Sequence, residues 1–377
     1  MPQHEPGRPR RSHRRAAVLP SALAMSAALL LAPAAGAAVA APPATAPSAA
    51  GASAAAPSAD PAARHAARLP EVIEGEGRAL HPEGVAWDPT RSAFLVSSIR
   101  HGTVSVVGAD GVARTLIDDP RLIATGAVRV DAARNRVLVT YGDVYGGPDA
   151  LLSVGSSPET RGRHSGLAVY DLTTGEPELM VDLGGSPGLH LANDVAVDPF
   201  GNAYVTDSFT GTIHRVTPKG HASVLLSHPA LDAGENAAGQ PITGLNGIAY
   251  HPAGFLLTVR HDTGAVFRIP LAAPERFTEV RQQRPTPGAD GVALGRNGAL
   301  YVVTNAIAPG GLDGLLELRS RDGWRTARQT GATASPEAAP SAVALTPRGN
   351  YVLSGHLPVL FGSGGRQTAD GFVLRRL

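Results

Sequence analysis

The stretch DVAVDPFGNAYVTDS, residues 194–208, joins two short apolar strands through a turn of Asp, Pro, Gly and Asn. Five further stretches repeat this arrangement. They begin at Gly84 (GVAWDPTRSAFLVSS), Ala127 (AVRVDAARNRVLVTY), Gly247 (GIAYHPAGFLLTVR), Gly291 (GVALGRNGALYVVTN) and Ala342 (AVALTPRGNYVLSGH). Successive copies start 43 to 67 residues apart. Strand-rich repeats of about 40–50 residues are typical of a β-propeller.

The repeats predict an all-β fold, a six-bladed β-propeller with four strands per blade over residues 69–377. Apolar segments between the copies supply the remaining strands, and LPEVIEGEG, residues 69–77, is placed to close the last blade. The longest spacing puts an insertion, residues 142–166, into the second blade. This Gly-, Ser- and Pro-rich loop is either a lid over a functional site or a plain surface excursion.

The first 68 residues are predicted to lie outside the fold. Residues 1–40 have an arginine-rich head, an apolar run and a small-residue cleavage site at Ala38-Val39-Ala40, which indicates a secretory signal peptide of the Sec or twin-arginine type. A single membrane anchor is the alternative. Residues 41–68 are rich in Ala, Pro and Ser and are expected to be a disordered linker. The mature protein is therefore expected to be secreted, extracellular or in the cell envelope, without membrane contact after cleavage.

Composition narrows the possible chemistry. The chain has no Cys, which excludes disulfides, cysteine-ligated zinc and thiol nucleophiles, and its net charge of +1 argues against a nucleic-acid partner. No serine-hydrolase elbow and no phosphate-binding loop occur in it. A closed propeller leaves few open strand edges, so a monomer is expected. The expected partner is a small-molecule substrate.

A polar residue precedes the first strand of most copies. The six positions are Glu83, Gly126, Asn193, Asn246, Asp290 and Ser341. Equivalent positions of the inner strands face one another across the channel of a propeller, and two carboxylates there repel each other unless a cation lies between them. The all-oxygen set of Glu83, Asn193, Asn246 and Asp290 favours Ca²⁺ or another hard divalent cation. The alternative is that these Asn-Gly and Asp-Gly pairs are ordinary turns.

Further polar residues are expected near this site. Asp194 follows Asn193 directly and is a candidate to orient its amide. The loops at the same face carry His190, Asp207, His261 and His356, which are candidates for substrate binding or for support of the site. A histidine there can act as acid or base near neutral pH.

The stretches HPEGVAWDP, LANDVAVDPFGNAYVTDS, GLNGIAYHPAG and GADGVALGRNGALYVV resemble the regucalcin, gluconolactonase and luciferin-regenerating enzyme family of six-bladed propellers. Paraoxonases are more distant relatives. The resemblance implies that Glu83, Asn193, Asn246 and Asp290 hold a central divalent ion, usually calcium, and that Asp290 is the catalytic base or nucleophile of a hydrolase. The sugar-lactone hydrolases carry an Arg where this chain has Leu191, so a more apolar lactone or ester is favoured here.

The sequence thus predicts a secreted, divalent-metal-dependent hydrolase that acts on a lactone or a related ester. The alternative is a non-catalytic propeller that binds a ligand or a protein and holds a structural metal, because a fold alone does not determine function. Enzymes related to strictosidine synthase and quinone-dependent sugar dehydrogenases share the fold. The relatives of strictosidine synthase lack the four metal ligands. The quinone-dependent dehydrogenases need a basic, histidine-containing pocket for their cofactor.

Overall fold

The computed structural model describes residues 69–377. The predicted signal peptide, residues 1–40, and the predicted linker, residues 41–68, lie outside the described residues. The described part of the chain is an all-β, propeller-like fold with a short α-helix, α1 (Leu357–Gly362). Among residues 69–377, no helix has the length and apolar character needed to cross a membrane.

Three four-stranded antiparallel sheets follow one another along the chain. The first contains β2 (Val85–Asp88), β3 (Ala93–Val96), β4 (Thr103–Val107) and β5 (Ala113–Asp118). The second contains β6 (Ala124–Asp131), β7 (Arg136–Gly142), β8 (Ser165–Asp171) and β9 (Pro177–Asp182). The third contains β10 (Ala192–Val197), β11 (Ala203–Asp207), β12 (Thr212–Val216) and β13 (Ala222–Ser227).

The next eight strands form one sheet. Its first half contains β14 (Leu245–His251), β15 (Phe255–Arg260), β16 (Val266–Pro270) and β17 (Thr278–Gln282). Its second half contains β18 (Ala289–Leu294), β19 (Leu300–Thr304), β20 (Gly314–Arg319) and β21 (Thr326–Ala334). Each half is antiparallel, and a short parallel pairing of β17 with β21 joins them. The prediction of six separate blades is therefore met in part, because two four-stranded units share one sheet.

The last sheet joins the two ends of the described chain. It contains β22 (Pro340–Thr346), β23 (Gly349–Ser354), β24 (Phe372–Arg376) and the first strand, β1 (Val72–Gly75). β1 pairs with β24 in antiparallel register, as expected for the stretch before the first repeat. The first strands β2, β6, β10, β14, β18 and β22 contact one another in chain order, and β22 returns to β2.

The core lies between neighbouring sheets. In one cluster, Leu95 and Val104 of the first sheet pack with Val128 and Val139 of the second. In another, Phe94 of the first sheet packs with residues of β23 and β24 in the last sheet. Because each apolar strand face is covered by the next sheet, both faces of most sheets are buried, and burial of this apolar surface is the main force that holds the ring together.

Aspartate turns explain the repeated sequence pattern. In the β10–β11 turn, Oδ1 of Asp198 accepts hydrogen bonds from the backbone N–H groups of Phe200 and Asn202, both at 2.9 Å. Gly201 takes a positive φ of 84° there, which glycine adopts without strain. Asp88 closes the β2–β3 turn through the N–H of Thr90 at 2.8 Å. The turn residues therefore set the register of each strand pair.

The first strands of five units are irregular at the end where the candidate residues lie. The register shifts fall between Thr125 and Val128, Ala192 and Val195, Leu245 and Ile248, Ala289 and Val292, and Pro340 and Ala342. Such bulges re-aim side chains and interrupt the hydrogen-bond ladder. Asn193, Asn246 and Asp290 all lie within these interruptions.

Side-chain hydroxyls replace the lost ladder bonds and connect neighbouring units; we call them hydroxyl bridges. Thr140 Oγ1 accepts from the N–H of Ala127 and donates to the carbonyl of Asn193, both at 2.8 Å. Ser341 Oγ donates to the carbonyl of Glu83 at 2.7 Å. Each bridge thus fixes the backbone of a candidate ligand to the adjacent unit.

The hydroxyl bridge of Thr206 is open to a direct test. Its Oγ1 accepts from Asp194 N–H at 3.1 Å and donates to the carbonyl of Asn246 at 2.7 Å. Thr206→Val keeps the shape but leaves two buried backbone groups unpaired, so we expect a loss of about 2 kcal/mol in the free energy of unfolding. Urea unfolding measures it. Thr278→Val, on the exposed side of β17, is the control and should change stability by less than about 0.5 kcal/mol. Equal stability of the two variants would contradict the role of the bridge.

Candidate functional site

The structure brings the four predicted ligand residues together. Glu83, Asn193, Asn246 and Asp290 come from four different units and form the floor of a cavity of about 270 Å³. Beneath this floor, a narrower space of about 20 Å³ continues along the axis and is lined by Glu83, Asn193, Asn246 and Asp194. The register of the six repeats therefore translates into one cluster at the centre of the ring.

Two carboxylates in this cluster destabilise each other in the ionised form. Burial raises the pKa of Glu83 well above its usual range, and the carboxylates of Asp290 and Asp194 raise it further. Burial also raises the pKa of Asp290 to about 7, although the amides of Asn305 and Asn246 lower it in part. Like charges in a poorly solvated channel produce this effect. A positive charge between them would remove it.

The cluster also contains oxygen atoms without partners. Asn246 Oδ1 and Asp290 Oδ1 are buried and make no hydrogen bond among the described residues. Buried acceptors of this kind are rare and need an explanation. Gly126 keeps the neighbouring position open, because a Cβ there would lie 3.7 Å from Glu83 Oε2 and 2.9 Å from Thr140 Oγ1. The unpaired oxygens and the open space fit a hard cation.

The four floor residues differ from a metal site built from several acidic and histidine side chains. Among residues 69–377, no group of three or more His, Cys, Asp or Glu side chains is arranged to hold a metal ion. The candidate set has two carboxylates, and its remaining donors are the amides of Asn193 and Asn246. Amide and carboxylate oxygens in combination suit calcium better than zinc, which prefers nitrogen and sulfur ligands.

Asp194 lies in the space beneath the floor. Its carboxylate accepts from the N–H groups of Val195 at 2.7 Å and Ile248 at 2.9 Å, and it pairs with Arg129 at 3.3 Å. Burial raises the pKa of Asp194, and the Arg129 guanidinium opposes this increase. These bonds join β10 to β14, so the carboxylate supports the strands that carry Asn193 and Asn246. A role in orienting the Asn193 amide stays a prediction.

Asn305 connects Asp290 to His261. Its Nδ2 donates to Asp290 Oδ2 at 2.6 Å and to the carbonyl of Pro340 at 3.1 Å. Its Oδ1 lies 3.2 Å from His261 Nε2, so that nitrogen is the donor. Burial lowers the pKa of His261, which keeps the ring neutral. Asn305 therefore holds one oxygen of Asp290 and leaves Oδ1 directed to the cavity. No repeated sequence pattern marks Asn305, and its contact to Asp290 depends on the fold.

His190 and Asp207 form a buried ion pair behind the cavity wall. His190 Nδ1 lies 2.6 Å from Asp207 Oδ2, and its Nε2 contacts Oγ and the carbonyl of Ser186 at 3.0 and 2.9 Å. A carbonyl only accepts, so both ring nitrogens donate. The hydrogen bond to Asp207 raises the pKa of His190 against the effect of burial. A charged imidazole cannot take a proton from Ser186, so these three residues are not a serine-hydrolase triad.

Asp207 positions two residues of the cavity wall. Its Oδ1 accepts from the N–H groups of Leu191 and Phe209, both at 3.1 Å, and both residues line the cavity. His356, in contrast, is exposed at the start of α1 and is not among the lining residues. His261 lines the cavity directly. Of the four predicted supporting residues, His261 therefore contacts the cavity, His190 and Asp207 hold its wall, and His356 lies outside it.

The insertion in the second unit forms part of the wall. Asp143 organises it by accepting from Ser156 Oγ at 2.6 Å and Thr160 Oγ1 at 2.7 Å. Leu152 packs into a buried cluster with Leu357 of α1. Val144 and Tyr145 of the same loop line the cavity. The loop is thus a fixed wall of the site in this structure.

Comparisons with known proteins identify the family of this chain. The profile described as SMP-30/Gluconolactonase/LRE-like region matches residues 81–311, which include all four floor residues. The chain belongs to this family. Membership in the SMP-30/gluconolactonase/LRE-like family supports a lactonase-type hydrolase. No curated protein matches the chain at a significant level.

Solved structures share the fold at low sequence identity. The major allergen Mala s 1 of Malassezia sympodialis has a TM-score of 0.61 and 18% identity, covering 82% of this chain and 96% of that one. A regucalcin from Agrobacterium tumefaciens has a TM-score of 0.55 and 17% identity, and the match covers 82% of this chain and 94% of that one. A gluconolactonase from Xanthomonas campestris has a TM-score of 0.53 and 17% identity, and the match covers 84% of this chain and 93% of that one. At these identities the similarity establishes the fold alone.

The raised pKa values make a prediction about stability. A carboxyl whose pKa is raised by folding stabilises the fold while it is protonated, and this contribution is lost as pH rises through the raised value. In chelator-treated protein, Glu83→Gln should therefore raise the Tm at about pH 8 and leave it unchanged at about pH 4. Differential scanning calorimetry at both pH values measures this.

The control is Glu178→Gln, which removes an exposed carboxylate on β9. It should shift the Tm little at either pH. A Glu83→Gln variant that melts below the wild type at the higher pH would mean that the protein itself compensates the charge of Glu83.

Proposed function

We propose that this protein is a divalent-metal-dependent hydrolase that opens a lactone or a related ester. The observation that carries the proposal is the floor of the cavity, where four oxygen-bearing side chains converge and two buried oxygens have no partner among the described residues. Family membership supports the reaction class. The regucalcin from Agrobacterium tumefaciens, which shares the fold, is a calcium-binding protein, and this supports the choice of cation.

The same proposal includes a six-bladed architecture. The strand pairing between the two halves of the eight-stranded sheet consists of two residue pairs, Arg281 with Thr326 and Gln282 with Ala327. Each half has the strand order of the other blades, and a separate apolar cluster lies between β14–β17 and β18–β21. We therefore count two blades whose outer edges touch. In this arrangement the four floor residues come from blades one, three, four and five.

The residues of the floor suit a resident calcium ion. Glu83 and Asp290 would hold it through carboxylate oxygens, and Asn193 and Asn246 through amide oxygens. A bound divalent cation supplies Lewis-acid chemistry that polarises the substrate carbonyl. The two ionised carboxylates balance its charge, which also relieves the repulsion between them.

Asp290 is placed to move a proton. One of its carboxylate oxygens would hold the cation and the other would take the proton; Oδ2 accepts from Asn305, and Oδ1 is unpaired at the cavity floor. In the proposed reaction, water attacks the carbonyl carbon and passes a proton to Asp290. The bond from that carbon to the ring oxygen then breaks, and the departing oxygen takes up the proton. The product is a hydroxy acid, so lactone plus water is balanced. His261 keeps Asn305 oriented through its Nε2–H.

Metal binding can be measured without turnover. Isothermal titration calorimetry of Ca²⁺ into chelator-treated protein should detect binding, and both Glu83→Gln and Asp290→Asn should lose it by at least about tenfold in affinity, because each removes an ionised ligand. Asp118→Asn changes an exposed carboxylate on β5 and should bind as the wild type does. Folded wild-type protein that binds no divalent cation would contradict the metal assignment.

Turnover separates an enzyme from a binding propeller with a structural metal. Asp290→Asn should reduce kcat/KM for lactone hydrolysis by about 100-fold or more, while its circular dichroism stays unchanged. Chelation should abolish activity and Ca²⁺ should restore it. A survey of lactones, esters and phosphotriesters with pH-stat detection provides the rates. If the wild type hydrolyses none of them although it binds calcium, the protein is a ligand- or protein-binding propeller.

Export completes the proposal. The predicted signal peptide supports secretion of a mature protein that begins near residue 41. The partner we propose is a small molecule, and the acting form is a monomer. N-terminal sequencing of the protein from culture medium and cell fractions tests the cleavage, and light scattering tests the oligomeric state.

A further inference from the structure

The walls of the cavity differ from its floor in character. Above the floor, the lining residues are almost all apolar and come from loops of several units. The apolar ones include Ile99, Val144, Leu191, Phe209, Leu357 and Phe361. No arginine or lysine is among the described residues that line it. A polyhydroxylated ligand would lose its hydrogen bonds to water against such a surface and gain few in return.

Two of the polar side chains in the wall already have hydrogen-bond partners. The hydroxyl of Tyr141 donates to the carbonyl of Val181 at 3.2 Å, and burial raises the pKa of Tyr141 to about 12. His261 bonds to Asn305. Tyr145 and Thr243 also line the cavity, so the wall offers mainly apolar contact area with few polar groups, and the charged and amide groups are concentrated at the floor.

The outer loops continue the apolar surface. Of the seven large hydrophobic side chains exposed in the described part of the chain, five belong to the insertion, the β19–β20 loop and α1. They are Leu151, Val154, Ile307, Leu312 and Val359. Each of these three segments also contributes a residue to the cavity lining. Exposed apolar groups that border a pocket indicate ligand contact.

We propose that the substrate of this site is an uncharged lactone or ester that carries an apolar chain, with its carbonyl at the floor and its chain along Leu191, Phe209 and Phe361. The inference rests on the proposed function for the reaction, and on the cavity wall for the class of substrate. The volume of about 270 Å³ is near the lower end for ligand pockets, so a small ring with a medium-length chain fits it.

Binding can be tested with compounds that the enzyme cannot hydrolyse. A series of 5-alkyl-2-pyrrolidinones, γ-lactams with ethyl, butyl, hexyl and octyl chains, is titrated by calorimetry. Each added methylene should improve affinity about fourfold until the chain reaches solvent. The matched lactone series should show the same trend in kcat/KM and exceed glucono-δ-lactone.

Variants locate the chain. Leu191→Arg places a charge in the wall and should weaken octyl-lactam binding by about tenfold or more. Ile307→Ser provides a second test, because Ile307 is 52% exposed and its replacement does not endanger folding; it should weaken binding by about fivefold. Phe200→Ser is the control: Phe200 is 79% exposed, in the turn at the other end of β10, and its replacement should change nothing.

The outcomes separate the two proposals. Lactam affinities that do not depend on chain length, or a preference for glucono-δ-lactone over every alkyl lactone, would overturn the apolar substrate while leaving the hydrolase intact. Chain-length-dependent lactam binding that Ile307→Ser weakens and Phe200→Ser does not would support it. If that binding occurs and no lactone or ester is hydrolysed, the proposed hydrolysis fails and the apolar ligand class stands.

Discussion

The hydroxyl bridge between one unit and the next is the interaction on which the site depends. A bulge at the end of a first strand turns Asn193 or Asn246 toward the axis, but it leaves a backbone N–H and a carbonyl without ladder partners. Thr140 and Thr206 each satisfy one N–H of their own unit and one carbonyl of the next. A buried backbone group left unpaired would cost about 1–3 kcal/mol. The same bond therefore stabilises the ring and holds a floor residue in position.

The fold must tolerate two buried carboxyl groups, Glu83 and Asp290, at the floor of the cavity. Burial raises the pKa of both Glu83 and Asp290, and the carboxylate of Asp194 raises both further. Asp194 itself pairs with Arg129. Two carboxylates without a counter-charge weaken the fold near neutral pH, and hydrophobic contacts between the sheets must offset that loss. Functional sites commonly concentrate such perturbed groups. Asp194 has a cationic partner in Arg129, whereas Asp290 has none among the described residues; this difference supports the proposal that Asp194 is structural and that Asp290 takes part in the chemistry.

The sequence predicted the repeated parts of the molecule well, because repetition places equivalent residues on equivalent strands. Glu83, Asn193, Asn246 and Asp290 could be aligned by eye, and the fold brings them together. The loops follow no repeat. The contact of Asn305 with Asp290, the burial of His190 behind Leu191 and the exposure of His356 depend on how separate loops pack. The edge pairing of β17 with β21 rests on two residue pairs, and no local pattern marks it.

In the proposed function, the floor of the cavity supplies the chemistry and the wall supplies the specificity. The two are built from different parts of the chain. The floor residues lie on first strands whose bulges and hydroxyl bridges recur from unit to unit, so their geometry is bound to the fold. The wall is built from the insertion, the β19–β20 loop and α1, which can change without disturbing the ring. Leu191 stands between the two: its N–H is held by Asp207 behind the wall, and its side chain faces the cavity two residues before Asn193. Within the proposed function, Leu191 therefore contributes an apolar surface at a position where an arginine would place a charge above the floor.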